Sequence, residues 1–332
     1  MSLPTHSTAL AYESYGKANE VLSLKEIPLP PLQADQVLLK ILSAPINPAD
    51  MGKIGGSYGS LSALPAVGGM EGIAEIAATG DNVTTWNIGD RVIAPTALGS
   101  WQTYAVANAA DIYRGPQEAE IEQAAMAWVN PMTAWKLLHA FATLKSGDWI
   151  IQNAATSGVG KLVIQFAHSL GIKTINLVRD HSQTEKLKSL GGTLVVIEDD
   201  ASLKEAYATL DGDKPKLGLN AVGGSSAYRI IKNLADHSTL VTYGGMSRDL
   251  APFPTRYLIF NDISLRGFWS NKYYNTAPRE EIEPLLETIF QFMEVAGIKV
   301  DVAQTYPLSE FQAALTHANQ GGKTGKVLFS MT

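Results

Sequence analysis

The chain has 332 residues, with 26 Lys plus Arg against 32 Asp plus Glu and a net charge of −6. That length predicts two domains, and the mild acidity without any block of like charges argues against a dedicated nucleic-acid binder. Hydrophobic residues are 45% and charged residues 17%, a globular balance, and the absence of cysteine excludes disulfides, thiolate nucleophiles, iron–sulfur clusters and cysteine-bearing zinc sites.

No apolar run approaches the roughly 18 residues needed to span a bilayer. Met1–Tyr12 lacks the basic and apolar regions of a secretory signal and the Arg-rich pattern of a transit peptide, so a cytoplasmic protein is expected. The first part reads as β-rich: Val37–Leu42, Gly72–Ala77 and Arg91–Ala94 are extended runs. They are set apart by the turn segments Pro28–Pro31, Gly80–Asn82 and Asn87–Asp90, a spacing that suits a compact irregular barrel. Near Ile121 the period changes, and Glu122–Val129 and Thr133–Leu144 predict helices.

From Asp148 strands and helices alternate. Strands are predicted at Asp148–Asn153, Thr174–Val178, Leu194–Ile197, Leu217–Val222, Thr239–Tyr243 and Ile263–Phe268. The helices between them are Gly158–Leu170, Gln183–Leu190, Ser202–Leu210 and Ser226–Ala235. Continuous apolar strands joined through helices predict a parallel sheet covered on both faces, and six of them in this order match a doubly wound dinucleotide-binding sheet. A helix at Pro284–Ala296, a strand at Gln304–Pro307, a helix at Ser309–Ala318 and a strand at Lys326–Ser330 complete the pattern.

The strand Asp148–Asn153 runs through Ala154-Ala155-Thr156-Ser157-Gly158-Val159-Gly160 into an apolar-faced helix. Small residues there let the backbone approach a pyrophosphate, while the helix start offers free N–H groups and a positive dipole end. An ordinary tight turn is the alternative. At the end of the next strand, Arg179 arrives where an acid would hold the ribose of NAD, and an arginine suits the 2′-phosphate of NADP. The other assignment leaves Arg179 solvated and gives the ribose to Asp180.

A β-rich first domain, an inserted dinucleotide-binding domain and a returning C-terminal segment resemble the medium-chain dehydrogenase/reductase superfamily. The resemblance implies an α/β protein, with a GroES-like β-rich catalytic domain over 1–125 completed by 300–332 and a doubly wound Rossmann domain over 126–299. Zinc members carry a Gly-His-Glu segment. Here it is Gly69-Met70-Glu71, and Met70 does not replace an imidazole on zinc, so no metal is expected and Glu71 reads as a structural acid.

Several segments are similar to the 2-enoyl thioester reductases of mitochondrial-type fatty acid synthesis. They include Ile46–Asp50, Gly56–Gly59, Leu64–Gly69, Val129–Pro131, Ile151–Ala154, Val178–Asp180, Asn220–Gly224, Val241–Met246 and Leu265–Trp269. The resemblance implies Tyr58 as proton donor and Trp269 as a further catalytic position. It implies contacts to NADPH from Asn130, from Thr156, Ser157, Gly158 and Val159, and from Arg179, Asp180 and His181. Further contacts are implied from Tyr243, Gly244, Gly245 and Met246, from Phe268, Trp269, Ser270 and Asn271, and from Lys326. Two departures stand out: His181 replaces a second arginine of some members, and Ala155-Thr156 replaces Ser-Asn.

The implied reaction reduces a trans-2-enoyl thioester. Hydride goes to the β-carbon, charge builds on the thioester oxygen and a proton goes to the α-carbon. A phenol is protonated at neutral pH and can supply that proton, and Gly55, Gly56 and Gly59 would let its loop move. Trp269 also reads as an interface aromatic, and Lys326 as a solvated lysine. His139 and His168 read as helix-face residues. A quinone or 2-alkenal reductase of the same branch is the rival activity, and a non-catalytic NADPH-binding protein the rival class. The partners expected are an enoyl thioester, free or carrier-bound, and a second copy of the chain. Arg248, Arg256 and Arg266 are candidates for an acidic carrier or nucleotide, with neither nucleic acid nor membrane as a partner.

Overall fold

The computed structural model describes residues 3–210, 212–322 and 324–331. The chain forms two compact units, residues 1–129 with 299–332 and residues 130–298. Among the described residues no helix is long and apolar enough to cross a membrane.

In the first unit, β1 (His6–Tyr12) pairs antiparallel with β2 (Ser23–Pro28) across the one-turn helix α1 (Ala18–Val21), and with β4 (Ala66–Val67). The second sheet is built on the ten-residue strand β3 (Gln36–Pro45), which pairs antiparallel with β5 (Ile73–Thr79) and β7 (Tyr104–Asn108). It continues through β6 (Arg91–Ile93) to β8 (Tyr113–Arg114). Helix α2 (Pro48–Ile54) leaves the end of β3, and α3 (Ile121–Ala125) follows β8.

After the second unit the chain returns as β15 (Val302–Pro307), α12 (Phe311–Asn319) and β16 (Lys326–Ser330). The strand β16 lies between β15 and β3 in the sheet. The barrel expected from the turn spacing is therefore resolved into a seven-stranded and a three-stranded sheet. Side chains alternate across a strand, so β3 feeds two cores: Val37, Leu39 and Ile41 enter one, and Ala44 enters the other with Leu10, Trp101 and Phe329. Trp101 is fully buried, edge-on to Phe329 at 5.2 Å between ring centroids. A Cβ on Gly68 or Gly69 would come within 2.4 or 2.5 Å of that indole, so glycine is the residue these two positions accept.

The second unit opens with α4 (Val129–His139), which begins at the boundary. There follow β9 (Trp149–Gln152), α5 (Gly158–Ser169), β10 (Lys173–Val178), α6 (Thr184–Ser189), β11 (Leu194–Ile197) and α7 (Asp200–Ala208). Then come β12 (Leu217–Asn220), α8 (Gly224–Lys232), β13 (Thr239–Thr242), α9 (Thr255–Phe260), β14 (Ser264–Gly267), α10 (Ser270–Thr276) and α11 (Arg279–Val295). The six strands lie in the order β11-β10-β9-β12-β13-β14 and every pair is parallel, the doubly wound order expected. All four residues of β9 and of β12 are buried, as a sheet covered on both faces requires. Those of the edge strand β14 are all exposed.

Several helices differ from expectation: α1, α2 and α9 were not expected, α3 ends at Ala125 rather than Val129, and α11 starts at Arg279 rather than Pro284. α4 starts at Val129 rather than Thr133, because a proline in the first helical turn forfeits only an N–H that has no partner, so Pro131 does not break it. It stops at His139, short of Leu144. α10 was not expected, since Lys272-Tyr273-Tyr274-Asn275 carries no apolar helical period.

Candidate active site

The expected dinucleotide residues of the second unit gather at the C-terminal ends of its parallel strands. After β9 the chain turns through Ala154, at φ +48°, to Ser157, whose side chain accepts from the Gly160 N–H at 3.1 Å and caps α5. A Cβ on Gly160 would stand 2.6 Å from the Ala154 carbonyl and 2.7 Å from that of Ala155, so helix and strand approach this closely only with glycine there. Arg179, Asp180 and His181 follow β10 and are exposed, Asp180 capping its turn through the Ser182 N–H at 2.9 Å. Gly244, Gly245 and Met246 follow β13, and Phe268, Trp269, Ser270 and Asn271 follow β14, with the Phe268 ring against Phe141.

Buried amides hold these strand ends in register. Asn153 Nδ2 donates to Asn220 Oδ1 at 2.8 Å and to Ser226 Oγ at 2.7 Å, and its Oδ1 accepts from the Ala221 N–H at 2.7 Å. Asn220 in turn donates to Thr242 Oγ1 at 3.1 Å. This ties β9, β12 and β13 together at the point where the strand order reverses, which is where doubly wound sheets bind ligands. Two groups beside it are unusual. Asn130 Nδ2 is buried with no hydrogen-bond partner among the described residues, and burial pushes the Tyr243 phenol well above its ordinary range, with the Ser157 hydroxyl opposing. A buried donor like that of Asn130 calls for a bound partner.

In the first unit, α2 joins the two remaining candidates. Its cap Asn47 and Asp50 form a capping box, the Asn47 N–H donating to Asp50 Oδ2 at 2.6 Å. Asn47 Nδ2 donates to Glu71 Oε2 at 2.8 Å, while Lys326 Nζ donates to Asn47 Oδ1. Glu71 Oε1 accepts from the N–H groups of Val129 at 2.6 Å and Trp128 at 3.2 Å, where the chain leaves this unit. All four side chains are buried. Burial pushes Asp50 up to about 7, against the Asn47 N–H that opposes it and with the Glu71 charge adding to it, and Lys326 opposes. Burial raises Glu71 too, opposed by the Val129 N–H and Lys326. The other end of α2 leads through Gly55 and Gly56, at φ +74°, to Tyr58. The Tyr58 ring is half-buried beside Gly52, and the Ser57 N–H holds the loop to the Gly52 carbonyl at 2.9 Å.

Two family models match. Residues 33–117 match the alcohol dehydrogenase GroES-like domain and residues 158–291 the zinc-binding dehydrogenase. The mitochondrial enoyl-[acyl-carrier-protein] reductase of Homo sapiens is 38% identical over 99% of this chain and 90% of its own. That of Arabidopsis thaliana is 38% identical over 96% and 86%. Among solved structures, Etr1p in complex with NADP and crotonyl-CoA aligns with a TM-score of 0.87 at 28% identity, over 98% of this chain and 99% of that one. A putative NADPH:quinone reductase from Bacillus thuringiensis aligns at 0.90 and 25%, over 99% of each chain. The chain belongs to the medium-chain dehydrogenase/reductase superfamily, in the family of these enoyl reductases.

For a medium-chain dehydrogenase/reductase the first unit is the GroES-like domain and the second the Rossmann domain. A dinucleotide fits the second: it has a capped turn at Ser157, a close approach of helix and strand at Gly160, and a buried Asn130 amide with no hydrogen-bond partner among the described residues. The zinc in the name of one matching model has no counterpart in this chain's chemistry, since Met70 stands beside Glu71 and no thiolate exists to join them. Asn47 and Asp50 were missed as site residues, although the Asn-Pro-x-Asp spacing with proline at the first helical position signals a capped helix. Their link to Glu71 and Lys326 has no sequence signal, because those residues lie far away in the chain.

Proposed function

We propose that this enzyme reduces the 2,3 double bond of trans-2-enoyl thioesters with NADPH. The likeness to Etr1p, itself solved with NADP and crotonyl-CoA, carries the reading, and the full-length identity to enoyl reductases supports it. When bound, NADPH supplies a hydride to the β-carbon. Thr156–Val159 at the start of α5 hold the pyrophosphate through backbone N–H groups and the helix dipole. Arg179, with Asp180 and His181 beside it, receives the ribose and its 2′-phosphate. Asn130, Tyr243–Met246 and Phe268–Asn271 line the rest of the cofactor path, where Asn130 Nδ2 gains the partner it lacks.

Tyr58 would give its phenolic proton to the α-carbon, and Trp269, whose indole N–H is a donor only, would stabilise the negative charge developing on the thioester oxygen. Lys326 Nζ donates to Asn47 Oδ1, and we assign it a contact to the cofactor. The exposed edge strand β14 is where a second copy would extend the sheet, and we assign the homodimer to that edge. Arg248, Arg256 and Arg266 are exposed cations that suit an acidic acyl carrier.

The likeness to an NADPH:quinone reductase favours the second reading, hydride delivery to a quinone with no dedicated acid. The deciding experiment follows NADPH oxidation with crotonyl-CoA and with benzoquinone, on wild type and Tyr58→Phe. Thioester turnover that falls on the order of 10²-fold in the variant supports the reductase. An inert thioester with quinone turnover indifferent to the substitution assigns the second reading.

A further inference from the structure

The second unit has a groove of about 330 Å³ between the ends of β10, β11 and β12, and both of its arginines, Arg179 and Arg229, meet it beside Glu198 and Asp249. Two cations and two anions leave this lining with no net charge, a poor field for a phosphate dianion. Arg229, on α8, is loosely held. Its Nη1 is 3.8 Å from Glu198 Oε1 and its Nε is 3.5 Å from Asp200 Oδ1, and its guanidinium donates no hydrogen bond among the described residues. Asp200 already receives Lys232 at 2.6 Å. Glu198 Oε1 is buried and accepts no hydrogen bond among the described residues. The groove therefore holds a guanidinium and a carboxylate that stand 3.8 Å apart without a hydrogen bond between them.

We propose that Arg229 is a second phosphate-binding arginine, held in reserve by Glu198, which joins Arg179 on the 2′-phosphate of the dinucleotide. This rests on the reading of the second unit as NADPH-binding. A guanidinium fork matches phosphate oxygens two at a time, and a phosphate monoester carries about −1.5 to −2 charges at neutral pH, more than the one carboxylate it displaces. The N-terminal turn of α8 faces the same groove through Gly223 and Ser225 and adds its positive end. Glu198 lowers the gain, because the phosphate must separate it from Arg229. Selectivity for the phosphorylated cofactor is thus set by a three-way competition and not by Arg179 alone.

The test is calorimetric titration of adenosine 2′,5′-bisphosphate and 5′-AMP, which differ only in the 2′-phosphate. The proteins are wild type, Arg229→Gln, Glu198→Gln and Arg179→Gln, with thermal melts confirming that each variant folds. Arg229→Gln is expected to weaken the bisphosphate about tenfold and Glu198→Gln to tighten it about three- to fivefold, with 5′-AMP changed less than about twofold in both. Equal changes for the two nucleotides would mean that the Arg229–Glu198 pair only braces α8 against β11, and would overturn the proposal. So would loss of discrimination in Arg179→Gln alone. If wild type binds neither nucleotide, the cofactor reading itself fails, and the clamp with it.

Discussion

Asp50→Asn isolates the cost of a buried acid. Asp50 is 1% exposed; one oxygen accepts from the Asn47 N–H at 2.6 Å, and the Met70 N–H also favours the charged carboxyl. Its carboxyl is pushed up to about 7 from an ordinary 3.8. Between those values the folded protein holds a proton that the unfolded chain has released, so stability declines as pH rises from about 4 to about 7 and is level above it. The gap is about three powers of ten in proton affinity, on the order of 4 kcal/mol. Asparagine keeps the acceptor for Asn47 and has no charge to bury, but its amide N–H₂ lacks a partner, which costs about 1–3 kcal/mol. The variant is therefore expected to be about 1–3 kcal/mol more stable than wild type at pH 8 and less stable at pH 4.5. Urea unfolding at a series of pH values, read by the tryptophan fluorescence of this unit, measures the difference. Wild-type and variant curves that run parallel across the series would refute the reasoning, because Asp50 would then carry the same charge in folded and unfolded chains throughout.

Ser157→Ala removes the cap of α5 and should cost about 1 kcal/mol in thermal or urea unfolding, together with weaker binding of adenine dinucleotides measured by fluorescence. Gly160→Ala drives a methyl group into the Ala154 and Ala155 carbonyls; expression as a folded protein that binds nucleotide with wild-type affinity would contradict the close approach. Trp101→Ala empties the centre of one core and should cost about 3–5 kcal/mol in urea unfolding of the first unit, with nucleotide binding by the second unit retained.

What could be read from the chain was local. The strand, turn and capped helix from Trp149 to Ser169 are contiguous, and each residue type there has one conformational purpose, so the phosphate-binding turn emerges from sequence alone. The parallel order of the six strands followed from their continuous apolar character. Pro131 misled because its effect depends on its place in a helix, first turn or interior. Tyr58 could be placed on a glycine-rich loop, but its seat beside Gly52 depends on where α2 ends. Glu71, Asn47 and Lys326 meet only through the sheet: Ser43 on β3 and Phe329 on β16 are 286 positions apart yet hydrogen-bonded at 2.9 Å. No pattern within a window of residues encodes a contact of that range. The groove at Arg229 was hidden likewise, since it is a charge balance among three strand ends.

The same separation sets an order of assembly during synthesis. At about 5–20 residues per second, β3 leaves the ribosome roughly fifteen seconds to a minute before β16 exists to cover its Ser43–Pro45 edge. The intervening chain includes the whole second unit, which can close its own sheet first. Through that interval Asp50 and Glu71 lack the Lys326 ammonium group, and a stretch of β3 remains open to any passing strand. The Asn47 cluster is thus finished only once Lys326 has been made, and until then the Ser43–Pro45 stretch of β3 is an unpaired edge.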